Sequence, residues 1–293
     1  MSPSPALQNA IQQQLSKHFT STGKINFSSV GGGSINKTYR VSSGDKSVFC
    51  KINSATKFPQ LFKKEQTGLS LIGKAGIITV PAIIDCFEQE NQQVLLLEWV
   101  REGERTESFW RTFGQQLAEL HQQSSSFFGL DEDNYMGSVP QSNRKQHYWT
   151  KFFKAERLEP LTKKCFDKNL LTKNHLEAFE NLQQKLDEIF ETEKPSFVHG
   201  DLWSGNFMCN QYSQPVLIDP AVYYGHRSID LAMTTLFGGF RQPFYEAYHH
   251  HFPLPSNYEE QWAVCNLYPL LIHLYLFGNS YLPQIERTLK LFT

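Results

Sequence analysis

Residues 198–219 read VHGDLWSGNFMCNQYSQPVLID, and the spacing of three polar side chains in this stretch decides the reading of the whole chain. Asp201 stands five residues before Asn206, and Asp219 follows thirteen residues later, closing the apolar run Pro215-Val216-Leu217-Ile218. Phosphoryl transfer to a hydroxyl needs such a set: an Asp to orient the hydroxyl and take its proton, an Asn for magnesium, and a second Asp for magnesium at a strand end. Magnesium prefers hard oxygen donors, few of them from protein, because substrate phosphates and water complete its octahedron. Asp and Asn beside Gly and Pro are also common in turns, where they bond their own backbone. The turn reading weakens only if the rest of a kinase lies upstream in order.

The upstream half supplies those parts. Gly31-Gly32-Gly33-Ser34 falls between strand-like runs at 25–30 and 38–42, where backbone amides can approach phosphate closely; no Gly-Lys-Ser/Thr follows, so it is not a Walker loop. Lys51 lies inside the apolar run Val48-Phe49-Cys50-Lys51-Ile52, and an inward lysine there needs a partner. The helix expected over about 60–74 carries an apolar stripe of Leu61, Leu69 and Ile72, and Glu65 interrupts it four residues from either neighbour. Lys51 and Glu65 thus read as the strand-lysine and helix-glutamate pair of a kinase. The strand Leu95-Leu96-Leu97 runs into a connector, where the backbone of Glu98 and Val100 is expected at the adenine edge of ATP.

The remaining pattern fits that layout. Ser4 and Pro5 open a helix with Leu7, Ile11 and Leu15 on one face. Two hairpins follow, the first turning at Ser43-Gly44-Asp45-Lys46. Helical periodicity dominates from Ser108, broken by short strands near Phe197, Phe207 and Leu217. We expect an α+β, bilobal protein-kinase-like fold: a small antiparallel-sheet lobe over 1–100 and a larger, mostly helical lobe over 101–293.

Composition excludes several classes. A net charge of −1 argues against a nucleic-acid or anionic-membrane partner. The N-terminal residues have no basic or apolar lead, and the apolar stretch 267–277 is too short to span a bilayer. Five scattered cysteines without a C-x-x-C pair suggest reduced thiols, and so a cytoplasmic protein.

The segment His199-Gly200-Asp201-Leu202-Trp203-Ser204-Gly205-Asn206 with Ile218-Asp219-Pro220 resembles the fructosamine kinase (ketosamine 3-kinase) family, a branch of the aminoglycoside-phosphotransferase-like kinases. Three further stretches carry the likeness: Asp133–Ser138 with Pro140-Gln141 and Asn143; Trp149 with Phe152-Phe153 and Arg157-Leu158; and Tyr224–Met233 through Phe240. The resemblance implies ATP-dependent phosphorylation of the 3-hydroxyl of a sugar joined to an amine as a ketoamine. The product is unstable and sheds the sugar. It also implies that Asp230 is structural, bracing the catalytic loop through backbone amides.

The expected roles are then as follows. Asp201 is the base; Asn206 and Asp219 hold Mg2+; Lys51, steered by Glu65, and the amides of Gly31, Gly32, Gly33 and Ser34 hold ATP phosphates. His199 supports the loop, and Trp203 is a candidate for packing against the sugar. Two rivals stay open: a kinase of another small alcohol or an antibiotic, for which Asp131-Glu132-Asp133 is the one compact acidic run, and a non-catalytic nucleotide-binding scaffold.

Overall fold

The computed structural model describes residues 2–19, 23–31 and 35–292. They form two compact units, one of residues 1–109 with 207–220, the other of 110–206 with 221–293.

The first unit is built on a five-stranded antiparallel sheet in the order β1-β2-β3-β5-β4. Its strands are β1 (Asn26–Ser29), β2 (Lys37–Ser43), β3 (Lys46–Ser54), β4 (Ile83–Gln89) and β5 (Gln92–Glu98). Helix α1 (Pro5–His18) starts where Ser4 accepts the N–H of Leu7, with proline in its first turn. It buries Leu7, Ile11 and Leu15 in one cluster with Tyr39, Val41, Val48, Cys50 and Ile52 of the sheet. Each such aliphatic side chain is worth roughly 1.5–3 kcal/mol when fully buried.

Helix α2 (Leu61–Ala75) is tethered from within the sheet. Buried Gln93 of β5 accepts the N–H of Phe62 and donates to the carbonyls of Ser54 and Phe58. One side chain therefore caps the helix start and fixes its position against β5 and the end of β3. The same unit contains the antiparallel pair β9 (Phe207–Cys209) and β10 (Pro215–Leu217), and Val216 of β10 bridges to Thr79.

The second unit is mostly helical: α3 (Glu107–His121) from Trp110 on, α4 (Trp149–Phe152), α5 (Glu159–Asp167), α6 (Lys173–Ile189), α7 (Ser228–Leu236), α8 (Gln242–His251), α9 (Tyr258–Cys265), α10 (Leu267–Phe277) and α11 (Leu282–Leu289). Two short hairpins interrupt it, β6 (Asn134–Met136) with β7 (Val139–Gln141), and β8 (Ser196–Val198) with β11 (Tyr223–Gly225). A π-helical stretch at Phe153–Leu158 joins α4 to α5. It carries Arg157 into the core, where the guanidinium lies 4.1 Å from the centre of the Tyr223 ring.

All five cysteines are free; Cys50, Cys165, Cys209 and Cys265 are buried and Cys86 is partly exposed. Among the described residues no helix is long and apolar enough to cross a membrane.

Candidate active site

Lys51 sits on β3 opposite Leu95 of β5 and Thr38 of β2. Successive strand residues face opposite sides, so Cys50 goes to the α1 cluster while Lys51 goes to the other face. There its Nζ meets Oε1 of Glu65 at 2.7 Å and Oδ1 of Asp219 at 2.6 Å. The Lys51 side chain is 2 % exposed, Glu65 11 % and Asp219 38 %. Burial alone would discharge this lysine, but the two carboxylates outweigh it and raise its pKa, so it stays charged. Burial pushes Glu65 up to about 7 against the opposing pull of Lys51, with Asp219 adding to the rise. Asp219 holds its place with φ 55°, a left-handed backbone uncommon outside glycine and Asn or Asp.

The glycine-rich loop is described only in part. A Cβ added at Gly31 would meet none of the described residues within 4 Å, while the expectation for Gly32, Gly33 and Ser34 lies outside the described residues. Asn36, just beyond, is held by the Asn53 amide at 2.7 Å. Glu98 closes β5 with its N–H on the Ala82 carbonyl and its carboxylate on the Ala82 N–H. Glu98 and Val100 line a shallow cavity with Thr79, Val80, Tyr212 and Val216.

The second unit carries the His199–Asn206 loop, the candidate catalytic loop, which follows β8. Asp201 accepts a hydrogen bond from Asn206 Nδ2 at 2.9 Å on its carboxylate and another at 2.8 Å on its backbone carbonyl. The N–H of Trp203 also turns back to the Asp201 carbonyl, and the N–H of Asn206 to the Trp203 carbonyl. His199 is fully buried, and its Nδ1 accepts the N–H of Asp201, so that nitrogen carries no proton.

Below the loop, buried Asp230 of α7 accepts the N–H groups of His199 at 2.6 Å and Gly200 at 2.8 Å. Its carboxylate also takes His121 Nε2 at 3.1 Å, and His121 Nδ1 meets the Tyr248 hydroxyl at 2.8 Å. Gly200 has φ 82°, and a Cβ there would stand 2.2 Å from the Ala221 carbonyl oxygen. Only glycine fits.

The residues following Asp219-Pro220 are held from the other side. Asn134 Nδ2 donates to the Val222 carbonyl, and Gln141 Nε2 donates to the Ala221 carbonyl and to Asn134 Oδ1. Asn143 and Tyr268 complete this buried cluster. The acidic run 131–133 is taken up locally: Asp131 pairs with Lys145, and Asp133 accepts the Asn143 N–H.

His121, Tyr248, Gln141 and Asn134 are therefore supporting residues that site reasoning from the sequence did not assign. His121 looks like the polar end of an amphipathic helix, and its partners lie 109 and 127 residues away. Asn134 and Gln141 fall in stretches that carry the family likeness, whereas His121 and Tyr248 leave no local signal.

Each unit offers a hard oxygen donor of its own. In the second, Asn206 spends its amide nitrogen on Asp201 and keeps its amide oxygen; in the first, Asp219 keeps Oδ2 beyond its bond to Lys51. An amide oxygen and a carboxylate are hard ligands of the kind magnesium takes, with few from protein.

Comparison with known proteins shows the family. The sequence matches the profile of the family described as "Fructosamine kinase" over residues 6–292. It is 36% identical over 265 residues to a protein of Enterococcus faecium described as a ketoamine kinase, covering 90% of this chain and 94% of that one. It is 36% identical over 289 residues to another so described in Synechocystis, covering 98% and 97%. The structure of a protein from Thermobifida fusca described as a fructosamine-3-kinase superposes with a TM-score of 0.85 at 29% identity, covering 96% of this chain and 98% of that one. An antibiotic phosphotransferase structure shares the fold alone, at TM-score 0.62 and 12% identity. With a buried lysine held by two carboxylates in one unit and a clamped His-Gly-Asp loop in the other, the protein has the kinase fold and belongs to the fructosamine kinase family, whose chemistry is phosphoryl transfer from ATP.

Proposed function

We propose that this chain uses ATP to phosphorylate the 3-hydroxyl of a sugar ketoamine, of the fructosamine or ribulosamine type, and so leads to release of the unmodified amine. The Lys51–Glu65–Asp219 cluster carries the phosphoryl-transfer half of this reading, since a buried lysine held charged by two carboxylates suits a phosphate-binding site. The ketoamine half is supported by the family and by relatives similar across nearly their whole length.

Asp201 orients the sugar hydroxyl and accepts its proton, with its carboxylate aimed by Asn206. Lys51, kept in register by Glu65, binds phosphate oxygens, and the amides of residues 31–34 add further donors. Glu98 and Val100 offer backbone groups to adenine. Asn206 and Asp219 would hold Mg2+, which when bound neutralises phosphate charge as a Lewis acid. His199 and Asp230 act on the loop's shape, and Trp203 packs beside the sugar. Catalysis is then mostly positioning and electrostatics. Free thiols support a cytoplasmic setting, and the family supports a small or protein-bound glycated amine as partner.

The test is ATP consumption with fructoselysine, ribuloselysine, choline and kanamycin, run with wild type and Asp201→Ala. Turnover of a ketoamine alone is expected, and the variant should lose ~10²–10⁴-fold in rate while still binding ATP. Turnover of choline or kanamycin in its place would move the substrate to another branch of the fold. ATP bound without turnover of any acceptor would return the scaffold reading.

A further inference from the structure

A run of aromatic rings leads outward from the catalytic loop within the second unit. The Trp203 indole lies over Gly205, where an added Cβ would come within 2.3 Å of the ring. It makes a T-shaped contact with Phe237, ring centres 5.8 Å apart and planes at 75°. Phe237 contacts His273 at 5.0 Å, and His273 contacts Tyr281 at 5.0 Å and Phe277 at 5.6 Å. A core would bury such rings, yet Phe237 is 40 % and Phe277 51 % exposed.

The run is fixed to the loop at both ends of a short path. Phe237 directly follows α7, the helix whose Asp230 binds the loop amides. Gly239, at φ 94°, approaches the loop so closely that a Cβ would sit 2.5 Å from that of Ser204. His273 donates through Nδ1 to the Pro269 carbonyl, and burial lowers its pKa, so its ring behaves as a neutral aromatic face.

The geometry points to Trp203, Phe237, His273, Phe277 and Tyr281 as a shelf for the amine substituent of the ketoamine, selecting amines that carry an apolar or aromatic group. This rests on the ketoamine kinase reading. The reacting hydroxyl belongs at Asp201, and the amine leaves the sugar at the carbon chain's end, beyond that hydroxyl. A substituent continuing outward from the loop meets the shelf. Ring faces favour apolar carbon and other rings, in edge-on or offset contact.

The experiment compares fructosamines of methylamine, butylamine and phenethylamine in wild type, in Phe237→Ala/Phe277→Ala and in Phe237→Leu/Phe277→Leu. Wild type should favour the phenethylamine adduct over the methylamine adduct by roughly tenfold in kcat/KM, with the difference carried by KM. The alanine pair should bring that ratio to about one, and the leucine pair should leave an intermediate value. A flat wild-type ratio, or an equal loss of kcat for every adduct in the alanine pair, overturns the shelf while leaving the kinase intact. Absence of turnover of all three adducts by wild type overturns the kinase reading and the shelf together.

Discussion

Lys51 is the residue on which the first unit's chemistry turns, and its two carboxylates are not equivalent. Glu65 is nearly buried and reaches Lys51 from a helix anchored by Gln93, whereas Asp219 is more exposed and sits on a strained left-handed turn. Glu65 is thus the fixed partner and Asp219 the one free to engage other cations. Glu65→Gln keeps the shape and removes the charge. A hydrogen bond to a charged group is worth roughly 1.5–3 kcal/mol, so kcat/KM for ATP should fall ~10- to 100-fold. Steady-state kinetics at saturating acceptor checks this, and an unchanged value would make Glu65 a packing residue. This pair was legible in the sequence because a carboxylate interrupted an apolar stripe and a lysine interrupted an apolar strand. Arg157 gave no such signal. Its partners are ring faces and carbonyls brought in by a π-helical stretch, and neither leaves a periodic mark.

At the scale of elements, the catalytic loop is shaped by what grips its backbone. α7 holds the His199 and Gly200 amides through Asp230, α3 holds Asp230 through His121, and the Ala221 N–H closes on the His199 carbonyl. Gly200→Ala tests this grip. It places a Cβ against a backbone oxygen at a positive φ, and should cost about 1–3 kcal/mol or more. A lowered denaturation midpoint together with reduced kcat is expected; a variant as stable as wild type would mean that the loop relaxes freely. The sequence disclosed the loop's own residues, since their spacing is set by chemistry. Of its clamps, Asp230 was expected from the family resemblance, whereas His121 stayed hidden, because a buried polar contact across a hundred residues has no local pattern. The hairpin β6–β7 was missed because Asn134-Tyr135-Met136 and Val139-Pro140-Gln141 mix polar residues and a proline into three-residue strands, unlike the apolar runs near Phe197, Phe207 and Leu217.

For the molecule as a whole, acid is the condition to which the second unit is most exposed. His226 is buried, accepts the Ser228 N–H on Nδ1, and lies 3.5 Å from Glu193, itself doubly bonded to Arg227. Burial is the largest influence and lowers its pKa from 6.5 to about 4, Glu193 opposing and Arg227 and His121 assisting. The unfolded chain therefore binds a proton that the folded chain refuses. Stability from this group is whole above pH 6.5 and declines as pH falls towards 4, by up to about 3 kcal/mol. Denaturant unfolding across that range should show the decline, and His226→Asn, which keeps an acceptor for Ser228, should flatten it. An equal decline in the variant would assign the acid sensitivity to other groups.

The placement of the thiols has a practical consequence for watching either unit open. Cys86 alone is partly exposed, while Cys50 and Cys209 are sealed in the first unit and Cys165 and Cys265 in the second. A thiol-specific label added to the native protein would mark Cys86 first. The later modifications then become clocks, each timing how often its own unit breathes.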